Sequence, residues 1–167
     1  FKNNVTLNTS ATINSSATFL VASADSVAAI TVAGSVLGAS DGVGTVQITN
    51  TGGTTFTTTV GNTANTLALI NIDQDTTFSG SVEATAINNA ASTTATFSDN
   101  VTANITNSGT LLFNTSADKS VTGTIAEAAG GDTTEIKVID SEDGAPATVT
   151  FTATVAADTL TVGTTSN

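Results

Sequence analysis

The chain contains no cysteine, histidine, arginine, methionine, tryptophan or tyrosine. Without cysteine there is no disulfide staple and no thiolate chemistry. Secreted proteins that lack disulfides often rely on repetitive backbone ladders instead. Without histidine, arginine and the two polar aromatics, the usual acid–base groups and sugar-stacking platforms are missing. A polysaccharide-cleaving site, with paired carboxylates beside aromatic rings, is therefore a poor expectation, and the chain reads as non-enzymatic. Only three lysines stand against 14 acidic residues, for a formal charge of -11. That balance argues against nucleic acid and anionic membranes, both of which are bound by clustered cations. It suits salty media and divalent cations. No apolar run approaches the ~20 residues of a membrane-spanning helix, and no signal peptide is visible. The first residue is Phe1 and it already sits in a repeat phrase. The expectation is a processed chain or a piece of a longer one, forming a single domain over residues 1–167.

Proline occurs once and charged residues make up 10% of the chain, while Ser and Thr together number 53. So polar a composition raises disorder as a reading. The regular alternation of Val, Ile and Thr with small polar residues favours strands instead.

The strand signal is also periodic. Thr77-Phe78-x-x-x-Val82 is followed by Ile87, and Thr96-Phe97-x-x-x-Val101 by Ile105. The two phenylalanines are 19 residues apart. Further copies of Phe-x-x-x-Val begin at Phe1, Phe56 and Phe151, and Thr31-Val32-Ala-Gly-Ser-Val36 is the same phrase with Val for Phe. Phe19 and Phe113 extend the spacing pattern. Turns fall between the phrases, at residues 37–44, Asn50–Gly53 and Asn107–Gly109. A phrase that returns near 19 residues predicts stacked coils whose loops differ in length. Roughly eight coils at ~4.8 Å each give a rod about 40 Å long. A β-sandwich of short strands, pilin-like, is the competing architecture, but it gives no reason for the recurrence. In a strand, Phe and Val four apart would share a face with the residue between them, which is Asn3, Thr58, Gly80, Asp99 or Ala153. Asn, Gly and Asp at that place predict a bend, with Phe ending one strand and Val beginning the next.

The phrases Thr77–Val82, Thr96–Leu111 and Ser120–Ile125 resemble passenger domains of alphaproteobacterial autotransporters and related surface proteins. The resemblance covers most of the chain. It implies a right-handed parallel β-helix outside the cell, acting in adhesion or as a fibre or S-layer component. The chain departs from that family in having no C-terminal membrane barrel, and it carries over no functional residue.

The acidic residues supply the candidate sites. Asp73 and Asp75 form an Asp-x-Asp pair, while Asp140, Glu142 and Asp143 crowd one loop. Calcium takes several oxygen ligands from such loops, against the plainer reading of solvated turns. Gly130-Gly131-Asp132 matches a calcium-solenoid repeat only in part. Asn-x-Ser/Thr sequons at Asn4, Asn8, Asn14, Asn100, Asn104 and Asn114 are no more than composition gives, and Asn stacks inside the coil would use these residues equally well. The pairs Thr57/Thr59 and Thr152/Thr154 raise an ice-binding Thr-x-Thr array, but the equivalent positions become Ser79/Ser81 and Ser98/Asn100.

The functional expectation is a structural extracellular protein that self-associates through uncapped solenoid ends. Two alternatives are an adhesin fragment binding glycan or a host surface, and a pilin-like subunit donating the strand Phe1–Ile13.

Overall fold

The computed structural model describes residues 3–22, 28–130, 134–141 and 146–164. Its sixteen strands, in chain order, are β1 (Val5–Ile13), β2 (Thr18–Val21), β3 (Ile30–Gly38), β4 (Thr45–Ile48), β5 (Thr54–Phe56), β6 (Leu67–Ile72), β7 (Thr76–Phe78) and β8 (Val82–Asn89). Then follow β9 (Thr94–Phe97), β10 (Val101–Asn107), β11 (Thr110–Thr115), β12 (Lys119–Thr122), β13 (Ile125–Glu127), β14 (Glu135–Asp140), β15 (Val149–Phe151) and β16 (Thr159–Thr164). No helix among the described residues is long and apolar enough to cross a membrane.

The chain alternates between two sheets. Sheet one runs β1-β3-β5-β7-β9-β11-β14-β16, and sheet two runs β2-β4-β6-β8-β10-β12-β15, with β13 pairing to β10 beside β12. Every paired strand is parallel. Each strand therefore stacks on the one a full coil earlier, and the architecture is a parallel β-solenoid. The sandwich alternative fails here, since hairpins and Greek keys would pair strands antiparallel.

Register explains the recurring phrase. Val32, Phe56, Phe78, Phe97, Phe113, Val138 and Val162 occupy one column of sheet one. Successive members are 24, 22, 19, 16, 25 and 24 residues apart. The coil length is thus elastic while the column is fixed. The rings of Phe56, Phe78 and Phe97 lie nearly parallel, with centroids 5.3 and 5.2 Å apart. Phe113 continues the stack at 5.6 Å. Strand stacking at ~4.8 Å imposes this offset face-to-face geometry, which aromatic pairs favour. The bend is also present. Phe78 and Phe97 each end a strand, and Val82 and Val101 each begin the next, in the opposite sheet. Val82, Val101 and Val121 form that second column, and isolated bridges extend it through Val60 to Val36, which still lies within β3.

Two phenylalanines break the expected frame. Phe151 pairs with Val121, in the valine column of sheet two, and Val155 pairs with Ile125. Phe151 thus meets Phe113 edge-on across the core at 5.4 Å and 84°. Phe19 pairs with Val46, in the isoleucine column that passes through Ile70, Ile87, Ile105 and Ile125. The apolar residues of both corners lie four apart, as in Phe97/Val101 and Val101/Ile105, so spacing alone leaves the frame open. Phe1 lies outside the described residues.

Candidate functional site

The polar side chains concentrate where the backbone leaves the ladders. At these corners an amide N–H of one coil has no strand partner, and a short Asx side chain from a neighbouring coil accepts it. Asn4 Oδ1 accepts from Thr31 N at 2.9 Å, Asn100 Oδ1 from Ser120 N at 2.8 Å and Asn104 Oδ1 from Thr124 N at 3.1 Å. Asp75 Oδ1 accepts from Thr94 N, Asp118 Oδ1 from Thr148 N and Asp158 Oδ2 from Thr134 N, at 2.8 to 2.9 Å. Three of the sequon asparagines, Asn4, Asn100 and Asn104, are therefore inter-coil ties.

The calcium candidates sit within this scheme. Asp73 follows β6 and its Oδ2 accepts from Gln47 Nε2 at 2.6 Å, reaching back one coil. Asp75 reaches forward one coil, to Thr94. The Asp-x-Asp pair is thus engaged in opposite axial directions. Asp140 ends β14, three strands further along sheet one and at the other end of the strands, where its Oδ2 accepts from Ala147 N at 3.1 Å. The fold does not bring Asp140 to Asp73 and Asp75. Glu142 and Asp143 lie outside the described residues, as do Gly131 and Asp132. Among the described residues, no three acidic side chains gather where they could hold a metal ion.

Amide ladders occur inside and outside the coil. Inside, buried Asn89 donates to Asn107 Oδ1 at 2.8 Å, and Asn107 Nδ2 donates to Gly109 O at 2.9 Å. Thr93 Oγ1 donates to Asn89 Oδ1 at 2.8 Å. Outside, Asn88 donates to Asn71 and Asn71 to Gln47, at 3.0 and 2.9 Å.

The threonine pairs named from the sequence do not align. Thr57 lies in the bend after β5, with its hydroxyl 3.4 Å from Val32 O. Thr152 follows Phe151 in sheet two, with its hydroxyl 3.3 Å from Val121 O. The column that does form is Thr31, Thr55, Thr77 and Thr96, on the outer face of sheet one. Its signal was the Thr preceding Phe or Val in each phrase. The parallel outer column runs Asp75, Thr94, Thr110 and Glu135, so Thr-x-Thr does not repeat. Gly53, Asp75, Thr55, Thr77, Thr94 and Thr96 line a shallow groove of about 420 Å³.

One carboxylate is electrostatically distinct. Burial opposes the charge of Asp99, but hydrogen bonds from Lys119 and from Asn100 N outweigh it and hold its pKa below the ordinary 3.8. The Lys119–Asp99 ion pair, at 3.0 Å, links β12 to the corner before β10.

The two ends of the solenoid form the remaining feature. Leu160 stacks on Ile136 and Val162 on Val138, so both belong to core columns, yet they are 60% and 73% exposed. Val155, in the isoleucine column, is 36% exposed. Their counterparts one or two coils earlier, Ile136, Leu111 and Ile125, are fully buried. Comparison with protein-family models, with curated proteins and with solved structures finds no match for this chain.

Proposed function

We propose that the protein is a structural component of the extracellular surface, a non-catalytic rod that builds a fibre or layer by joining solenoid ends. The observation that carries this reading is the set of core-column side chains left bare at the C-terminal side of the described residues, Leu160, Val162 and Val155. The strand edges support it. Natural proteins guard edge strands with lysine, proline or other charge. Here β1, β15 and β16, outermost among the described strands, read VTLNTSATI, VTF and TLTVGT, with no charge and no proline. Charged residues lie on inner strands instead, such as Glu83 in β8 and Lys119 in β12. The net charge of -11 opposes lateral crowding, so uncharged ends favour axial contact over side-by-side association.

The test is electron microscopy and light scattering over a concentration series, with and without a chelator. Filaments or sheets with a ~4.8 Å axial repeat are expected. Dissolution by chelator would assign the acidic loops a calcium-bridging role. Monodisperse single rods at every concentration would overturn the reading.

A further inference from the structure

Six outward positions in the middle of sheet one form a grid with one empty corner. Gly53, Asp75 and Thr94 stand side by side on successive coils, each two residues before Thr55, Thr77 and Thr96. Neighbours across the strands lie ~4.8 Å apart, and neighbours along a strand ~6.6 Å apart. Five of the six positions carry a polar side chain. Gly53 carries none, and Ala29 on the coil before it carries only a methyl group. The missing side chain leaves a recess in the groove of about 420 Å³ that these residues line, a volume in the range of small-molecule sites.

The polar groups around the recess are unspent. Asp75 Oδ1 accepts from Thr94 N at 2.8 Å, which fixes the carboxylate and leaves Oδ2 open. Among the described residues, no protein group pairs with the hydroxyls of Thr55, Thr77, Thr94 or Thr96. An apolar ligand would strip water from these groups and return no hydrogen bond. An anion would meet Asp75 and the net charge of -11. Calcium would find a single carboxylate. An ammonium group would satisfy Asp75 but offers the hydroxyls no acceptor. A peptide strand has no edge to pair with, because β5, β7 and β9 are bonded on both sides. A sugar ring answers every group. Its hydroxyls both donate and accept, and those on alternate ring carbons are spaced much like neighbouring coils. We infer that this groove binds an uncharged sugar residue, seated over Gly53. Ring hydroxyls donate to Asp75 Oδ2 and exchange hydrogen bonds with Thr55 and Thr77, while the threonine methyls meet the ring carbons. Without an aromatic platform the hydrogen bonds carry the binding, which is millimolar for one groove. The site stands on the middle coils and does not rest on end joining, although joined rods would repeat it and gain avidity.

Saturation-transfer NMR tests this, with the methyl glycosides of glucose, galactose, mannose and N-acetylglucosamine titrated in turn. The measurement reads single rods and assemblies alike. Transfer to at least one of the four is expected. Asp75→Asn keeps an acceptor for Thr94 N but turns the open oxygen into a donor, and should weaken binding about tenfold or more. Gly53→Asn fills the recess with a residue that tolerates the φ of +82 there, and should abolish binding. Thr77→Val should cost about threefold. Thr102→Val, on the outer face of sheet two, should change nothing. Circular dichroism checks each fold, and where Gly53→Asn does not fold, Asp75→Asn and Thr77→Val decide. No transfer to any of the four sugars would overturn the site. So would transfer that survives Asp75→Asn in a folded rod, or that Thr102→Val reduces equally. Either result leaves the end-joining reading standing, since filaments are scored separately.

Discussion

The middle of the rod and its last coil are built from the same columns, and they differ in what covers them. Phe78 is sandwiched between Phe56 and Phe97 and fully buried. Val162 occupies the same column and is mostly exposed. The contrast teaches that burial in a solenoid belongs to the neighbour and not to the residue. Each coil supplies half of a contact, and only an inner coil receives the other half. Stability is therefore a sum of nearest-neighbour interfaces.

Truncation should separate the two regions most strongly. Phe78→Ala removes a ring stacked on both sides and is expected to cost about 3–5 kcal/mol. Val162→Ala should cost well under ~1 kcal/mol in the isolated rod, because little area leaves water. Urea titrations of both variants check this. Equal losses would mean that the last coil is covered in solution. A glycine pair sharpens the same contrast. Gly61 has φ +72, and a Cβ there would lie 1.8 Å from Glu83 O in the next coil. Gly61→Ala should cost at least about 2 kcal/mol from strain and coil separation. At Gly163 a Cβ meets nothing within 4 Å, so Gly163→Ala should shift the melting temperature by less than a degree or two.

The buried polar residues give smaller effects of opposite sign. Asn89→Ala removes the donor to Asn107 and the acceptor of Thr93, at an expected cost of about 1–3 kcal/mol. Thr54, by contrast, buries a hydroxyl that has no partner, between Ile30 and Thr76 in its column. Thr54→Val keeps the shape and should raise stability by up to ~1 kcal/mol. Thermal melts of the two variants should move in opposite directions.

Acid should act least. The depressed Asp99 contributes stability that is complete above its unfolded value near 3.8 and is lost as pH falls through the lower folded value. Asp99→Asn should therefore flatten the fall in stability below about pH 4 by giving up a small contribution at neutral pH. Lys119→Met should do the same. A pH series of melts on both variants checks the pair.

The stacked-coil class was legible because alternating β-branched residues and a recurring Thr-Phe phrase report the ladder directly. Val32 was placed in the phenylalanine column from its neighbours alone. The frame of Phe151 was not legible. Val121/Ile125 and Phe151/Val155 have the same spacing, and only inter-coil register distinguishes one corner from the other. The work of Asp75 and Asn104 was hidden for a similar reason. Their partners, Thr94 and Thr124, lie about one coil away in sequence, and a loop of elastic length conceals which residue will face them. Exposure of Leu160 and Val162 leaves no mark on residue type at all, because it follows from where the coil sits in the stack.

The parallel ladders carry one mechanical consequence. Their hydrogen bonds point along the long axis, so tension applied at the two ends loads them in sequence and not in shear. Such a rod yields by peeling one coil at a time. Each release frees the 16 to 25 residues between successive members of the Phe and Val column, or ~50–80 Å of extended chain. The unequal coils would write their own lengths into the extension record, with the shortest step marking the coil between Phe97 and Phe113.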